Sequence, residues 1–185
     1  MKLIDVSRYN GVIDWAKVKP QVDGAILRAG YRGYVGGTLV KDTMLNANLA
    51  GTRAVGLPIG VYFVTQAITT AEARQEARYT ISLVAGHKLE LPIFIDTEDS
   101  PTGSGRADRN KLTKEMRTEI IQAFCDEVEK QGYKAGVYTG EYWAKTCLNW
   151  GELQKYSKWV ARYSQLTPTI AYDIWQYTDE GRVNG

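Results

Sequence analysis

Residues 91–99 read Leu-Pro-Ile-Phe-Ile-Asp-Thr-Glu-Asp, an apolar run that ends in three carboxylates, Asp96, Glu98 and Asp99, within four positions. Stacked negative charge at the end of a buried strand costs stability unless the charges have partners or a task. On a strand, residues i and i+2 share a face, and two steps of about 3.3 Å separate their backbones by roughly 6.6 Å. Asp96 and Glu98 therefore point the same way as Pro92 and Phe94, while Thr97 and Asp99 point the other way. Asp99 is assigned to the loop that follows, Asp99–Asn110, with its Pro101, Gly103 and Gly105.

Outward from this strand, short apolar runs alternate with helical patterns. Strands are expected at about Lys2–Ser7, Gly24–Ala29, Ile59–Thr65, Leu91–Glu98 and Lys134–Thr139. Between them fall a short helix capped by Asp14, a helix over Asp42–Val55 ended by Gly56 and Pro58, a long amphipathic helix capped by Thr70, and a helix from Thr113 to Gly132. After Thr139 the helices shrink to Glu141–Thr146 and Trp150–Tyr156, and Lys158–Tyr163 and Tyr172–Tyr177 read as further strands. Such alternation implies parallel strands with right-handed crossovers. A barrel is preferred over an open sheet because Asp5, Arg28, Tyr62, Asp96, Glu98, Tyr138 and Trp175 all fall at C-terminal strand ends, where barrels gather their chemistry. An eight-fold β/α barrel needs about 250 residues; this chain has 185, so the expected fold is α/β, a shortened TIM-like barrel of five β/α units followed by strands with few or no helices. One domain over residues 1–185 is expected, and no repeat or linker interrupts it.

Composition removes several function classes. A net charge of +2 gives no footprint for nucleic acid, and no apolar run of about 18 residues exists that would insert into a membrane. The two cysteines, Cys125 and Cys147, make no disulfide framework, and the lone His87 sits in a Gly86-His87-Lys88 turn, which argues against His-dependent nucleophiles and against zinc. Residues Gly30 to Gly37 lack Gly-x-Gly-x-x-Gly spacing, so phosphate binding is not expected. The N-terminus meets charge at Lys2 and Asp5 before any signal-peptide core forms.

Two carboxylates in a partly dry pocket cannot both ionise freely, so one becomes available as an acid. That is the pairing glycosidic cleavage needs: a neutral acid for the leaving oxygen and an ionised partner for developing positive charge. From spacing alone a solvated loop start, or a divalent cation held by Asp-x-Glu-Asp, also remains open. The aromatic content favours a carbohydrate groove. Twelve tyrosines and five tryptophans are present, and Tyr9, Tyr31, Tyr34, Tyr62, Tyr138, Trp175 and Tyr177 are placed around the same mouth. Flat rings stack on sugars, and phenol and indole groups hydrogen-bond hydroxyls.

Five segments, "IDVSRYNGVIDW", "GVYFVTQ", "LPIFIDTED", "KAGVYTGEYW" and "YDIWQYTDEGRVNG", resemble in order the pattern of glycoside hydrolase family 25, the Chalaropsis-type lysozymes of phage endolysins and bacterial autolysins. The resemblance covers nearly the whole chain. It implies a shortened barrel and hydrolysis, without cofactor or metal, of the β-1,4 bond between N-acetylmuramic acid and N-acetylglucosamine in bacterial peptidoglycan. By motif, Glu98 resembles the general acid. Asp96 resembles the carboxylate that stabilises the positive intermediate by orienting the substrate's acetamido group, and Asp5 a supporting carboxylate. Tyr62, Tyr138 and Trp175 match aromatic positions of the groove, and Tyr31 is added to them as a substrate-binding candidate. Action on the cell wall is implied, reached by holin-dependent release or by a leader that has been removed. Family members continue past Val183-Asn184-Gly185 with a strand ending in Asp-x-Asn. Its lack makes a non-catalytic sugar-binding protein the alternative expectation. The resemblance leaves the oligomeric state open.

Overall fold

The computed structural model describes residues 1–185. The chain opens with β1 (Leu3–Val6), a 3-10 turn at Arg8–Asn10 and the one-turn helix α1 (Trp15–Val18). Then come β2 (Gly24–Arg32), β3 (Leu39–Lys41), α2 (Leu45–Ala54), β4 (Ile59–Val64), α3 (Thr70–Leu83), β5 (Ile93–Asp96) and α4 (Lys114–Lys130). The C-terminal third holds β6 (Ala135–Gly140), α5 (Glu141–Cys147), β7 (Ser157–Ala161) and β8 (Ile174–Gln176). Strands pair in parallel in the order β1-β2-β4-β5-β6-β7-β8, and β3 folds back antiparallel on β2. Five strand–helix units are thus followed by two strands with no α-helix between them, the shortened barrel expected from the sequence.

The sheet buries both faces, and the two-residue period divides them. Ile93 and Ile95 of β5 join the large core between strands and helices, with Leu27, Val61, Phe63, Val137, Ile121 and Phe124. Phe94 points inward to a smaller core with Ile26, Tyr138 and Trp159, against which Leu3, Tyr62, Leu91 and Ile174 also pack. Two edge-on contacts and one tilted one organise that interior: Trp159 lies 5.4 Å from Phe94 and 6.0 Å from Tyr62 between ring centroids, and Tyr138 tilts against it at 4.4 Å. Aromatic pairs of this kind contribute about 0.5–1.5 kcal/mol beyond their buried area. They fill the barrel below its C-terminal mouth.

One irregularity in β2 matters for the mouth. Its register with β4 runs Leu27↔Val61 and Arg28↔Tyr62, then jumps to Gly30↔Phe63, so Ala29 is an extra residue. A bulge of one residue re-aims the side chains beyond it. Arg28 and Tyr31, three positions apart, would face opposite ways on a regular strand. Here they share the interior side, with the Arg28 guanidinium carbon 5.9 Å from the Tyr31 ring centroid.

Several expectations shift by a few residues. The helix read from Asp42 starts at Leu45, because the buried Asp42 carboxylate instead accepts from Met44 N at 2.9 Å and Arg8 N at 3.1 Å. Thr69, not Thr70, caps α3, accepting from Glu72 N at 3.2 Å. The segment read as a helix from Trp150 is a 3-10 turn ending at Leu153, and β8 is half the length read for it. The hairpin strand β3 was not expected, since the glycines around it hide its short apolar pattern. The loop after Glu98 is firmly tied: Asp108 accepts from Ser100 N and Gly105 N, both at 2.7 Å, and the buried Arg117 donates to the Ala107 and Asp108 carbonyls.

The interior leaves no room beside Phe94. A Cβ at Gly136 would stand 2.4 Å from two atoms of that ring and 3.0 Å from Ser157 O. Gly136→Ala is expected to destabilise the protein by about 1–3 kcal/mol, as overpacking does. In urea unfolding the midpoint should fall with the slope unchanged.

Candidate active site

At the C-terminal mouth of the barrel lies a cleft of about 220 Å³. Asp5, Tyr62, Asp96, Glu98 and Tyr138 line it, together with Trp159, Tyr163, Gln176 and Asp179. Each of the first five reaches it by strand alternation. Asp5 follows Leu3 on the inner face of β1, Tyr62 stands beside Phe94 in register, and Tyr138 stands beside Asp96. Glu98 lies two residues beyond Asp96, just past the end of β5, where Thr97 N still donates to Tyr138 O at 3.1 Å. The two carboxylates thus share the inner face, and Asp99 does not.

The three inner carboxylates sit in different surroundings. Asp96 is 3% exposed, and its Oδ1 has no hydrogen-bond partner. Burial pushes its pKa well above the ordinary value, the charges of Glu98 and Asp5 push it further, and only Arg28 opposes them. Glu98 is also raised, by burial first and then by Asp99 and Asp5. Asp5 is raised by burial against the hydrogen bond it receives from Gln176. Glu98 and Asp5 keep contact with solvent at the mouth, so screening weakens the effect of burial on them relative to Asp96. The charge of Glu98 is among the causes that raise Asp96, so ionising one disfavours ionising the other.

A side-chain chain spans the mouth. The Tyr138 hydroxyl donates to Gln176 Oε1 at 2.8 Å, and Gln176 Nε2 donates to Asp5 Oδ2 at 3.0 Å. Strands β1 and β8 are not paired, so this contact bridges the two free edges of the sheet. A second bridge lies between Gln21 and Asn184, with Gln21 Nε2 donating to Asn184 O at 2.9 Å. Tyr62 and Tyr138 have strongly raised pKa values, because burial and the nearby carboxylates disfavour their phenolates. Both remain hydrogen-bond donors.

Asp99 turns outward as read from the sequence. Its carboxylate pairs with Arg109, accepts from Arg109 N at 2.8 Å and lies 3.4 Å from Trp143 Nε1. Partial burial works to raise it, but the Arg109 hydrogen bonds prevail and hold it below the usual range.

Two candidates do not line this cleft. Trp175 is in register with Val160 on the outer side of β8, its indole N–H donating to Arg162 O at 2.9 Å, while Gln176 takes the inward position beside Ala161. The inward residue of this stretch is the one after Trp175. Tyr31 stands at the rim, between the guanidinium groups of Arg8 and Arg28 at 5.5 and 5.9 Å. Sequence reading missed Trp159, Tyr163, Gln176 and Asp179. Counting alternation from Ile174 marks Gln176 and, through the pairing of β7 with β8, Trp159; nothing local marks Tyr163 or Asp179. No group of three His, Cys, Asp or Glu side chains is arranged to hold a metal ion, both cysteines are free, and no helix is long and apolar enough to cross a membrane.

The family model for glycosyl hydrolases family 25 matches residues 4–185. The chain belongs to glycosyl hydrolase family 25. Among the curated proteins that it matches, it is 31% identical to the uncharacterized protein YegX of Escherichia coli K12 over an alignment of 188 positions that covers 98% of this chain and 64% of that one. It is 30% identical to lysozyme M1 of Streptomyces globisporus, covering 98% of this chain and 63% of that one. The fold superposes on the modular autolysin LytC of Streptococcus pneumoniae, solved in complex with a synthetic peptidoglycan ligand, with a TM-score of 0.85 at 30% identity over 100% of this chain and 44% of that one. The chain therefore spans less than two thirds of the length of these relatives.

Burying Asp96 without a partner costs stability whenever it is ionised. Its pKa is raised in the fold, so its favourable contribution belongs to low pH and is lost as pH rises through the folded value. Asp96→Asn should therefore stabilise the protein at neutral pH by about 0.5–2 kcal/mol. Thermal melts should show the advantage shrink towards pH 4, near the pKa of an unfolded aspartate at about 3.9.

Proposed function

We propose that residues 1–185 form one catalytic unit, a muramidase that hydrolyses the β-1,4 bond between N-acetylmuramic acid and N-acetylglucosamine in bacterial peptidoglycan. The observation that carries this reading is the placement of two carboxyl groups, Asp96 and Glu98, on one face of a mouth lined by Tyr62, Tyr138 and Trp159, where burial raises the pKa of both. Membership of family 25 and the likeness to a lysozyme and to a peptidoglycan-bound autolysin support the substrate.

In this reading Glu98 is the general acid. It is the more solvent-accessible of the pair, its proton is retained to higher pH by burial and by Asp99, and it can reach a glycosidic oxygen in the open part of the cleft. As the bond breaks, Glu98 gives its proton to the leaving hydroxyl, and the ionised Asp96 stabilises the positive charge at the sugar's anomeric carbon. Asp96 does so by orienting the N–H of the substrate's acetamido group, whose carbonyl oxygen closes on that carbon. Water then opens the ring so formed, and Glu98 takes back a proton. Asp5, held by Gln176, positions the substrate from across the mouth. The aromatic walls supply flat faces for the sugar rings, the half-buried Tyr62 phenol donates to a hydroxyl, and the Tyr138 oxygen, whose proton goes to Gln176, accepts from one. The site of action is the cell wall.

Glu98→Gln removes the proton and little else. On purified cell walls the release of new muramic acid reducing ends should fall by about 10²–10⁴-fold. A variant that lyses walls as fast as the parent would mean that another group is the acid. Binding of wall fragments by the parent without any product would make the protein a sugar-binding module instead.

A further inference from the structure

The side chains that line the cleft include four carboxylates, Asp5, Asp96, Glu98 and Asp179, and no cation. An acidic group carried by a bound glycan is repelled there. The nearest place for such a group on the β1–β2 side of the mouth is the rim, where the cations stand.

Two registers locate that rim. Tyr31 of β2 is in register with Val64 of β4, and Val64 with Asp96 of β5. Tyr31 and Asp96 therefore stand at one level of the sheet and on one face, two strands apart. At about 4.8 Å per strand their backbones are roughly 10 Å from each other. The extra residue Ala29 is what gives Tyr31 this face. From the end of β1, the 3-10 turn Arg8–Asn10 brings Arg8 and Tyr9 to the same rim.

The Arg8 guanidinium carbon lies 5.0 Å from the Tyr9 ring centroid and 5.5 Å from that of Tyr31. Its one side-chain hydrogen bond runs from Nη2 to the Tyr9 hydroxyl at 3.2 Å. No carboxylate pairs with it. The Asp42 oxygens are taken by Arg28 Nε at 2.6 Å and by the backbone N–H groups of Arg8 and Met44 at 3.1 and 2.9 Å. The Arg28 guanidinium carbon also lies 4.8 Å from the Tyr9 ring centroid. Two guanidinium groups thus share two phenol rings and a single carboxylate, which leaves the rim positive. Arg28 is buried and already paired, whereas Arg8 is half-buried and beside it Tyr9 is 77% exposed. Rings that hold a guanidinium in place leave its planar fork of donors ready for a carboxylate.

Muramic acid differs from N-acetylglucosamine by one group, a lactyl ether that carries a carboxyl. In peptidoglycan this carboxyl is free or joined to a peptide, which bears carboxylates of its own. We propose that Arg8, backed by Tyr9 and Tyr31, is the subsite for a carboxylate on this lactyl arm, and that it selects the muramyl sugar for the part of the groove beside β1 and β2. This role rests on the muramidase reading and names the part of the substrate that the rim holds. An Arg8 that only packed on the two rings would be indifferent to the charge of the arm.

Three soluble substrates test it: uncrosslinked peptidoglycan strands, the same strands freed of peptide by an amidase so that the lactyl carboxylates are exposed, and the peptide-free strands with those carboxylates converted to neutral amides. On at least one of the two charged substrates Arg8→Gln should raise KM by about three- to thirty-fold with kcat unchanged, the loss of one charge-assisted contact at a solvated rim. Arg8→Lys should recover most of that loss, and Arg8→Glu should deepen it. An effect on the peptide-free strands assigns the carboxylate to the lactyl group itself, and an effect confined to the peptide-bearing strands assigns it to the peptide. On the neutral strands the parent and Arg8→Gln should have the same KM. An equal rise on the neutral strands, or no rise on either charged substrate, overturns the proposal. If the parent cleaves none of the three, the muramidase reading falls, and the same comparison of Kd by calorimetry still decides what Arg8 does.

Discussion

The structure depends on the two-residue period of β5. Ile93 and Ile95 must face the helices and Phe94 must face Trp159, so Asp96 has no choice but to follow Phe94 into the barrel. Moving the strand by one residue would send every side chain to the other face. It would place two carboxylates against the helices and two isoleucines in the mouth. Packing on both faces of a parallel strand therefore fixes the position of the acids more tightly than any hydrogen bond to them does. Asp96 in fact receives none at Oδ1.

That placement works against stability and for chemistry. Buried, unpaired carboxyl groups raise the free energy of the fold, and the surrounding aromatic packing offsets the cost. The large core outside the sheet and the small one inside it have separate tasks. The first holds strands to helices, and the second forms a rigid floor of rings beneath the acids. Rigid support is what the proposed roles of the two carboxyl groups require, because they rest on how a proton is shared between neighbouring side chains.

Much of this was legible in the sequence, where periodicity speaks directly. The five strand–helix units, the inward pair Asp96 and Glu98, and the outward Asp99 all follow from counting residues along strong apolar patterns. What was not legible depends on pairing between distant strands. The bulge at Ala29 leaves no composition signal, so the common orientation of Arg28 and Tyr31 appears only when β2 is laid beside β4. The same holds for Trp175. A three-residue strand is too short for its pattern to say which face is inward, and the register Ala161↔Gln176 decides it. Tyr163 and Asp179 lie on loops, whose courses over the mouth no periodicity encodes.

The bond from Gln176 to Asp5 joins residues 171 positions apart. Closing so long a loop is entropically costly. The two residues stand on β8 and β1, the free edges of the sheet, so the bond exists only where both ends of the strand order have been brought together. The orientation of Asp5 is thereby tied to the closure of the barrel: loosening either terminal strand would release this carboxylate from its partner while leaving the central strands, with Phe94 and Asp96, as they are.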